Sequence, residues 1–290
     1  MIKSIFVPLF GVERDKAALD TAYAMAGLFD ARLDCVHVRP DPREVAASIM
    51  AAANGGGGVY SEEIWTSLVE ADKRLAASSR ATFDQFAREK AVQPPRQPFA
   101  LSAALREIQG DPVKLVTSNA RFSDLAVFAP VAITGEAAWG PFGDTLIGSG
   151  RPVLLAQAPL AGLPAPIVTI AWKETAESAR AVTASMPLLG KAKKIIVISA
   201  SEDAKTTKES RDSADALAAL LRGHGLSAQS ECIECGTLDP APAMLERAVA
   251  LGSSIVVMGA YGHGRVREFI FGGFTKHMLR QTKLPVFLQH

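Results

Sequence analysis

The sequence predicts an α/β protein built from two tandem five-stranded, mostly parallel sheets with flanking helices. Three observations lead there. Short, almost wholly apolar runs at 2–9, 194–200 and 255–258 alternate with longer segments of helical periodicity, the pattern of parallel strands covered on both faces. Landmarks of the first half recur in the second half in the same order. Between them lies a Pro/Gly stretch at 158–164, which interrupts strands and helices alike. The expected domains are therefore 1–158 and 165–290.

The first unit opens with a strand at 2–9, a helix at 15–29 and a strand at 32–38. An insertion at 51–60 carries Gly55-Gly56-Gly57-Gly58, and a long helix follows at 61–90. Gly110-Asp111-Pro112 then starts a helical pattern; the aspartate is an N-cap and the proline is tolerated in a first turn. That pattern ends in the apolar run at 125–128, and a last strand is expected around 153–157. The second unit repeats this with a strand at 166–171, a helix at 175–189, a strand at 194–200 and a helix at 208–224. Asp239-Pro240 marks the next helix, 255–258 the next strand, and Pro285-Val286-Phe287 begins the last strand, around 286–289.

Composition narrows the function classes. At 290 residues, with 48% hydrophobic and 21% charged residues, the chain can bury two ordinary cores. A formal net charge of +1 supplies no field for nucleic acid or an anionic membrane. No apolar run reaches the roughly 18 residues of a membrane-spanning helix, and the start reads as a first strand with no cleavage site behind it. Cytoplasmic location is the expectation.

The three cysteines are too few for a disulfide framework. Cys232 and Cys235 spell C-x-x-C, but on a strand pattern and not at the helix N-terminus that a reactive thiolate needs. They read as ordinary strand cysteines. Cys35 and His37 share a strand face and read as core, since no further ligands stand nearby in sequence. There is no G-x4-G-K-[ST] phosphate loop, no G-x-S-x-G elbow and no His/Asp/Glu set at metalloenzyme spacing, so no catalytic residues are assigned.

The stretch richest in function is Gly259-Ala260-Tyr261-Gly262, nine residues, then Gly272-Gly273-Phe274-Thr275. It places a glycine-studded loop between an apolar strand ending at Met258 and a helical pattern at 276–281. Glycines let backbone approach a ligand closely, and free amides at a helix start favour phosphate. His263, Arg265 and Arg267 stand within reach of such phosphates or form a solvated basic loop; Tyr261 covers a ligand or is an ordinary surface aromatic.

This arrangement resembles the universal stress protein family, in its tandem two-domain form, over almost the whole chain. The family pattern is G-x2-G-x9-G followed by Ser or Thr, and Gly259, Gly262, Gly272 and Thr275 match it. The resemblance implies a Rossmann-like three-layer fold of the adenine nucleotide α-hydrolase kind. It also implies that the second domain binds ATP, or ADP or AMP, with or without Mg²⁺, through Ala171, Met258, Gly259, Gly262, Gly272, Gly273, Phe274 and Thr275. A sensing or regulatory role without dedicated catalysis follows from it, with an intramolecular pseudo-dimer through the two last strands and a homodimer as a further option.

Departures from the family pattern carry their own expectations. Gly273 stands where Ser or Thr is usual, and the first strand of the second unit ends at Ala171 where an Asp is usual, with Lys173 nearby as an attraction for phosphate. In the first unit Ala129 replaces the first glycine, Pro130 lacks an amide and Glu136 adds a repulsive charge. That unit is expected not to bind ATP in the family manner. The alternatives are a non-nucleotide scaffold of the same fold acting through protein association, and a slow nucleotidase or a redox protein using Cys232 and Cys235.

Overall fold

The computed structural model describes residues 1–52, 62–97, 100–130, 139–160, 165–201, 204–236, 238–260 and 273–290. In chain order the elements are β1 (Ser4–Leu9), α1 (Asp15–Phe29), β2 (Arg32–Arg39), α2 (Pro42–Ala52), α3 (Glu62–Glu89), β3 (Ser102–Gln109), α4 (Pro112–Ala120), β4 (Leu125–Phe128), α5 (Trp139–Gly148) and β5 (Val153–Leu155). The second half continues with β6 (Ile167–Ala171), α6 (Ala176–Leu189), β7 (Lys194–Ser201), α7 (Ala204–Gly223), β8 (Ala228–Glu234), α8 (Pro240–Ala250), β9 (Ile255–Gly259), α9 (Gly273–Gln281) and β10 (Val286–Gln289).

The strands form one ten-stranded sheet in the order β3-β2-β1-β4-β5-β10-β9-β6-β7-β8. Every neighbouring pair is parallel except β5 and β10, which run antiparallel with Leu154 opposite Phe287. The two tandem five-stranded sheets that the sequence predicts are thus joined edge to edge into one. The last strand of each half would otherwise end as an open apolar edge, an aggregation hazard that pairing removes. Val153, Leu154, Val286 and Phe287 are all wholly buried at that seam.

Side chains alternate across the sheet, as strand geometry requires. Ile5, Val7 and Leu9 point into one core with α1, α3, α6 and α7, while Phe6 points into the opposite core with α4, α5, α8 and α9. Both cores run across the seam, taking residues from both halves. Helix starts follow the sequence signals: Asp111 accepts from the Val113 and Lys114 amides at 2.9 and 3.2 Å, and Asp239 accepts from the Ala241 amide at 3.0 Å. Thr175 caps α6 through the Ser178 amide at 3.3 Å.

Candidate functional site

In an open parallel sheet, ligands settle beyond the carboxyl ends of strands where the strand order reverses. The second half reverses between β6 and β9, since β7 and β8 lie beyond β6 while β10 lies beyond β9. A cavity of about 660 Å³ opens there, within the range of small-molecule sites. Its floor is Ala171, Met258 and Gly259, and the first turn of α9 contributes Phe274 and Thr275. These five expected site residues therefore meet in one place, and Gly273 opens α9 beside them. Gly262 and Gly272, with Tyr261, His263, Arg265 and Arg267, lie outside the described residues, as do Gly55 to Gly58 and Glu136.

The structure gives Gly259 a second reason to be glycine. An added Cβ would lie 2.5 Å from the Ser178 amide nitrogen and 2.6 Å from the Glu177 carbonyl carbon. The start of α6 thus rests directly on the tip of β9. This brings Glu177 and Ser178 into the cavity wall, and Glu177 pairs with Arg180 at 3.6 Å.

The wall built by β7 and α7 was not found from the sequence. Ser199, Ser201, Glu209, Ser210 and Ser213 all line the cavity. Most of these hydroxyls are engaged: Ser201 with Thr207 at 2.8 Å, Ser210 with the Ala200 carbonyl at 3.3 Å, and Ser213 with the Trp172 indole N–H at 3.0 Å. Among the described residues Ser199 Oγ is buried without a partner. The sequence signal was the run of serines at helical spacing on α7 facing Ser199 and Ser201 on one strand face, legible only once the pairing of helix and strand is known.

Charge in the described wall is mixed, with Lys173 against Glu174, Glu177 and Glu209. Phosphate would therefore meet the positive end of the helix dipole at the start of α9 and an unfavourable field from the carboxylates near α6. Cys235 also lines the cavity. Its thiol is held above the ordinary range by burial, then by Cys232 and Asp239, the opposite of what a reactive thiolate needs. Among the described residues no group of three or more His, Cys, Asp or Glu is placed to hold a metal, and no helix is long and apolar enough to cross a membrane.

Among the described residues, aromatic rings and α3 occupy the matching crevice of the first half, between β1 and β4. Phe10 stacks on Phe128 with ring centroids 6.5 Å apart, and Phe128 meets Phe142 edge-on at 5.5 Å. Helix α3 crosses the tip of β1 so closely that a Cβ on Gly11 would lie 2.4 Å from the Leu75 carbonyl oxygen. Two polar contacts hold α3 there: the Arg39–Asp72 ion pair, and Ser79 Oγ with His37 Nδ1 at 2.9 Å. Asp15, wholly buried, accepts from the Phe10, Gly11 and Val12 amides at 2.9, 2.7 and 3.2 Å. Burial nonetheless raises its pKa from 3.8 to about 6. Cys35 is fully buried in the core and its thiol is pushed far up by the same cause.

Residues 175–290 match the universal stress protein family. No curated protein matches the sequence. Among solved structures, a universal stress protein from Archaeoglobus fulgidus is similar at a TM-score of 0.68 and 14% identity, covering 99% of this chain and 95% of that one. A putative universal stress protein from Pseudomonas aeruginosa is similar at a TM-score of 0.57 and 15% identity, covering 99% and 93%. At these identities the likeness is one of fold.

Proposed function

From the premise that residues 175–290 are a universal stress protein family domain, we propose that the cavity at the tips of β6 and β9 binds an adenine nucleotide. The single observation that carries this is the convergence of Ala171, Met258, Gly259, Phe274 and Thr275 on one cavity at the reversal of strand order. The ligand is ATP, or ADP or AMP, with or without Mg²⁺, its phosphates toward the start of α9. Gly262, Gly272 and Gly273 complete the contacts. The chain comprises two domains, 1–158 and 165–290, forming an internal pseudo-dimer through β5 and β10. The first serves as structural partner, its crevice filled by Phe10, Phe128 and α3.

The role is sensing or regulation in the cytoplasm, through association that depends on bound nucleotide. Hydrolysis, where it occurs, is slow and incidental. The first experiment denatures purified protein and identifies released small molecules by mass spectrometry, followed by thermal unfolding with added Mg-ATP. Near-stoichiometric adenine nucleotide is expected, or a stabilisation of about 2.7 kcal/mol at a hundredfold excess over Kd. No released nucleotide and no shift with ATP would overturn the reading.

A second reading is favoured by Glu174, Glu177 and Glu209 in the wall. In it the chain is a scaffold of the same fold that binds no nucleotide and acts through protein association.

A further inference from the structure

Ser199 is 3% exposed, lines the cavity and has no hydrogen-bond partner for its Oγ among the described residues. A buried hydroxyl left unpaired is destabilising, so such a group in a native wall requires a reason. The serines around it are engaged, Ser201 with the Thr207 hydroxyl, Ser210 with the Ala200 carbonyl and Ser213 with the Trp172 indole N–H, which makes Ser199 the position that the wall leaves open.

Directly beside it stands Trp172. Its amide donates to the Ile198 carbonyl at 2.8 Å, which sets it next to Ser199 across the β6–β7 pair. Its indole is half-buried, lines the cavity and is pinned by the N–H to Ser213 on α7. Pinning fixes the ring plane in advance, so little freedom is lost when a flat ligand stacks on it. A ring face with one free hydroxyl at its side suits a planar heteroaromatic base, whose edge offers both donors and acceptors. It does not suit a phosphate, which the carboxylate of Glu177 in the same wall repels.

We propose that Trp172 and Ser199 together read the base of the bound nucleotide, Trp172 by stacking and Ser199 by a hydrogen bond to the base edge. The inference rests on the nucleotide reading of the cavity. It adds two specificity-determining residues and makes the base, not the phosphates, the part that the β6–β7 side selects.

The test measures binding of ATP, adenosine and base-free tripolyphosphate to the full chain and to Trp172→Leu, Trp172→Phe and Ser199→Ala, each first checked for folding by circular dichroism. Trp172→Leu should weaken ATP and adenosine by roughly tenfold or more, and Trp172→Phe by no more than about threefold. Ser199→Ala should weaken both by about two- to tenfold. Tripolyphosphate should bind all four chains alike, an outcome that a general loss of structure would not produce.

A second readout needs no variant at the site itself. The chain has three tryptophans; with Trp65→Phe and Trp139→Phe, emission comes from Trp172 alone and should be quenched by ATP but not by tripolyphosphate. ATP binding that is indifferent to Trp172→Leu and Ser199→Ala, or emission unmoved by saturating ATP, overturns the inference and leaves the nucleotide reading standing. A wild-type chain that binds neither ATP nor adenosine overturns both.

Discussion

Gly259 and Ser178 stand so close that a Cβ on the glycine would lie 2.5 Å from the serine amide nitrogen. The atoms it would strike belong to backbone, in the first turn of α6, and not to a side chain that can swing away. Gly259→Ala should therefore displace that turn and destabilise the chain by about 1–3 kcal/mol. Urea unfolding checks it, and a loss below about 0.3 kcal/mol would show that α6 has room to shift. The proposed nucleotide binding should fall in parallel, because Glu177 and Ser178 are moved with the turn.

Gly11 is the counterpart in the first half, with φ at +74° and its Cβ direction blocked by Leu75 backbone. Gly11→Ala combines a disfavoured backbone region with a contact that only movement of α3 relieves. A loss of about 1–3 kcal/mol is expected, with the proposed nucleotide affinity of the second half unchanged within about twofold. A matching loss of affinity would mean that the two halves are coupled more tightly than their separate crevices imply.

Asp15 makes stability depend on pH in an unusual direction for a carboxylate. Its folded pKa of about 6 lies above the ordinary 3.8, so the folded state favours the protonated form. Its contribution is full below pH 3.8 and is lost as pH rises through about 6, a change of about 3 kcal/mol. Asp15→Asn keeps an acceptor for the amides of residues 10–12 and removes the titration. The difference in unfolding free energy between the wild type and this variant should therefore swing by about 2 kcal/mol between pH 4 and pH 6.5. Parallel pH profiles for the two chains would refute the assignment.

Phe287 lies wholly buried at the seam, opposite Leu154. Phe287→Ala leaves a cavity shared by the two halves and should destabilise by about 3–5 kcal/mol. Because both cores run across the seam, calorimetry should show one transition for the wild type and two for the variant. A single transition in Phe287→Ala would indicate that the remaining seam contacts suffice to keep the halves cooperative.

Much of this architecture could be read in the chain. Asp15–Phe29 was delimited as found, and Asp111-Pro112 and Asp239-Pro240 start helices as capping chemistry predicts. The same Asp-Pro signal at Asp41-Pro42 starts α2, with Asp41 accepting from the Arg43 amide at 2.9 Å, between the expected strand at 32–38 and the insertion at 51–60, where the sequence reading assigns no element. Strand β3 was not called because it is a sheet edge: Arg106 and Glu107 face outward and no alternation survives to mark it. Helix α5, with Gly140, Gly143 and Gly148, has too weak a helical propensity to announce itself. At the site, Ala171, Met258, Gly259, Phe274 and Thr275 follow from one local pattern. Trp172 follows Ala171 directly in the chain, whereas Ser199, Glu209 and Ser213 join the site only through the packing of α7 on β7, which no local pattern encodes. The filling of the first-half crevice by α3 is hidden for the same reason: Gly11 and Leu75 lie far apart in sequence.

The antiparallel seam between β5 and β10 has a consequence for symmetry. Two identical chains meeting along such a seam would carry every substitution twice, once at each crevice. A single chain holding both halves carries each substitution once. Leu75 and Phe10 can close one crevice while Trp172 and Ser199 line an open one, and the seam that both halves share is left intact. One covalent chain thereby gains a division of labour that a symmetric pair cannot adopt: one half is free to be rigid filling, the other to answer a ligand.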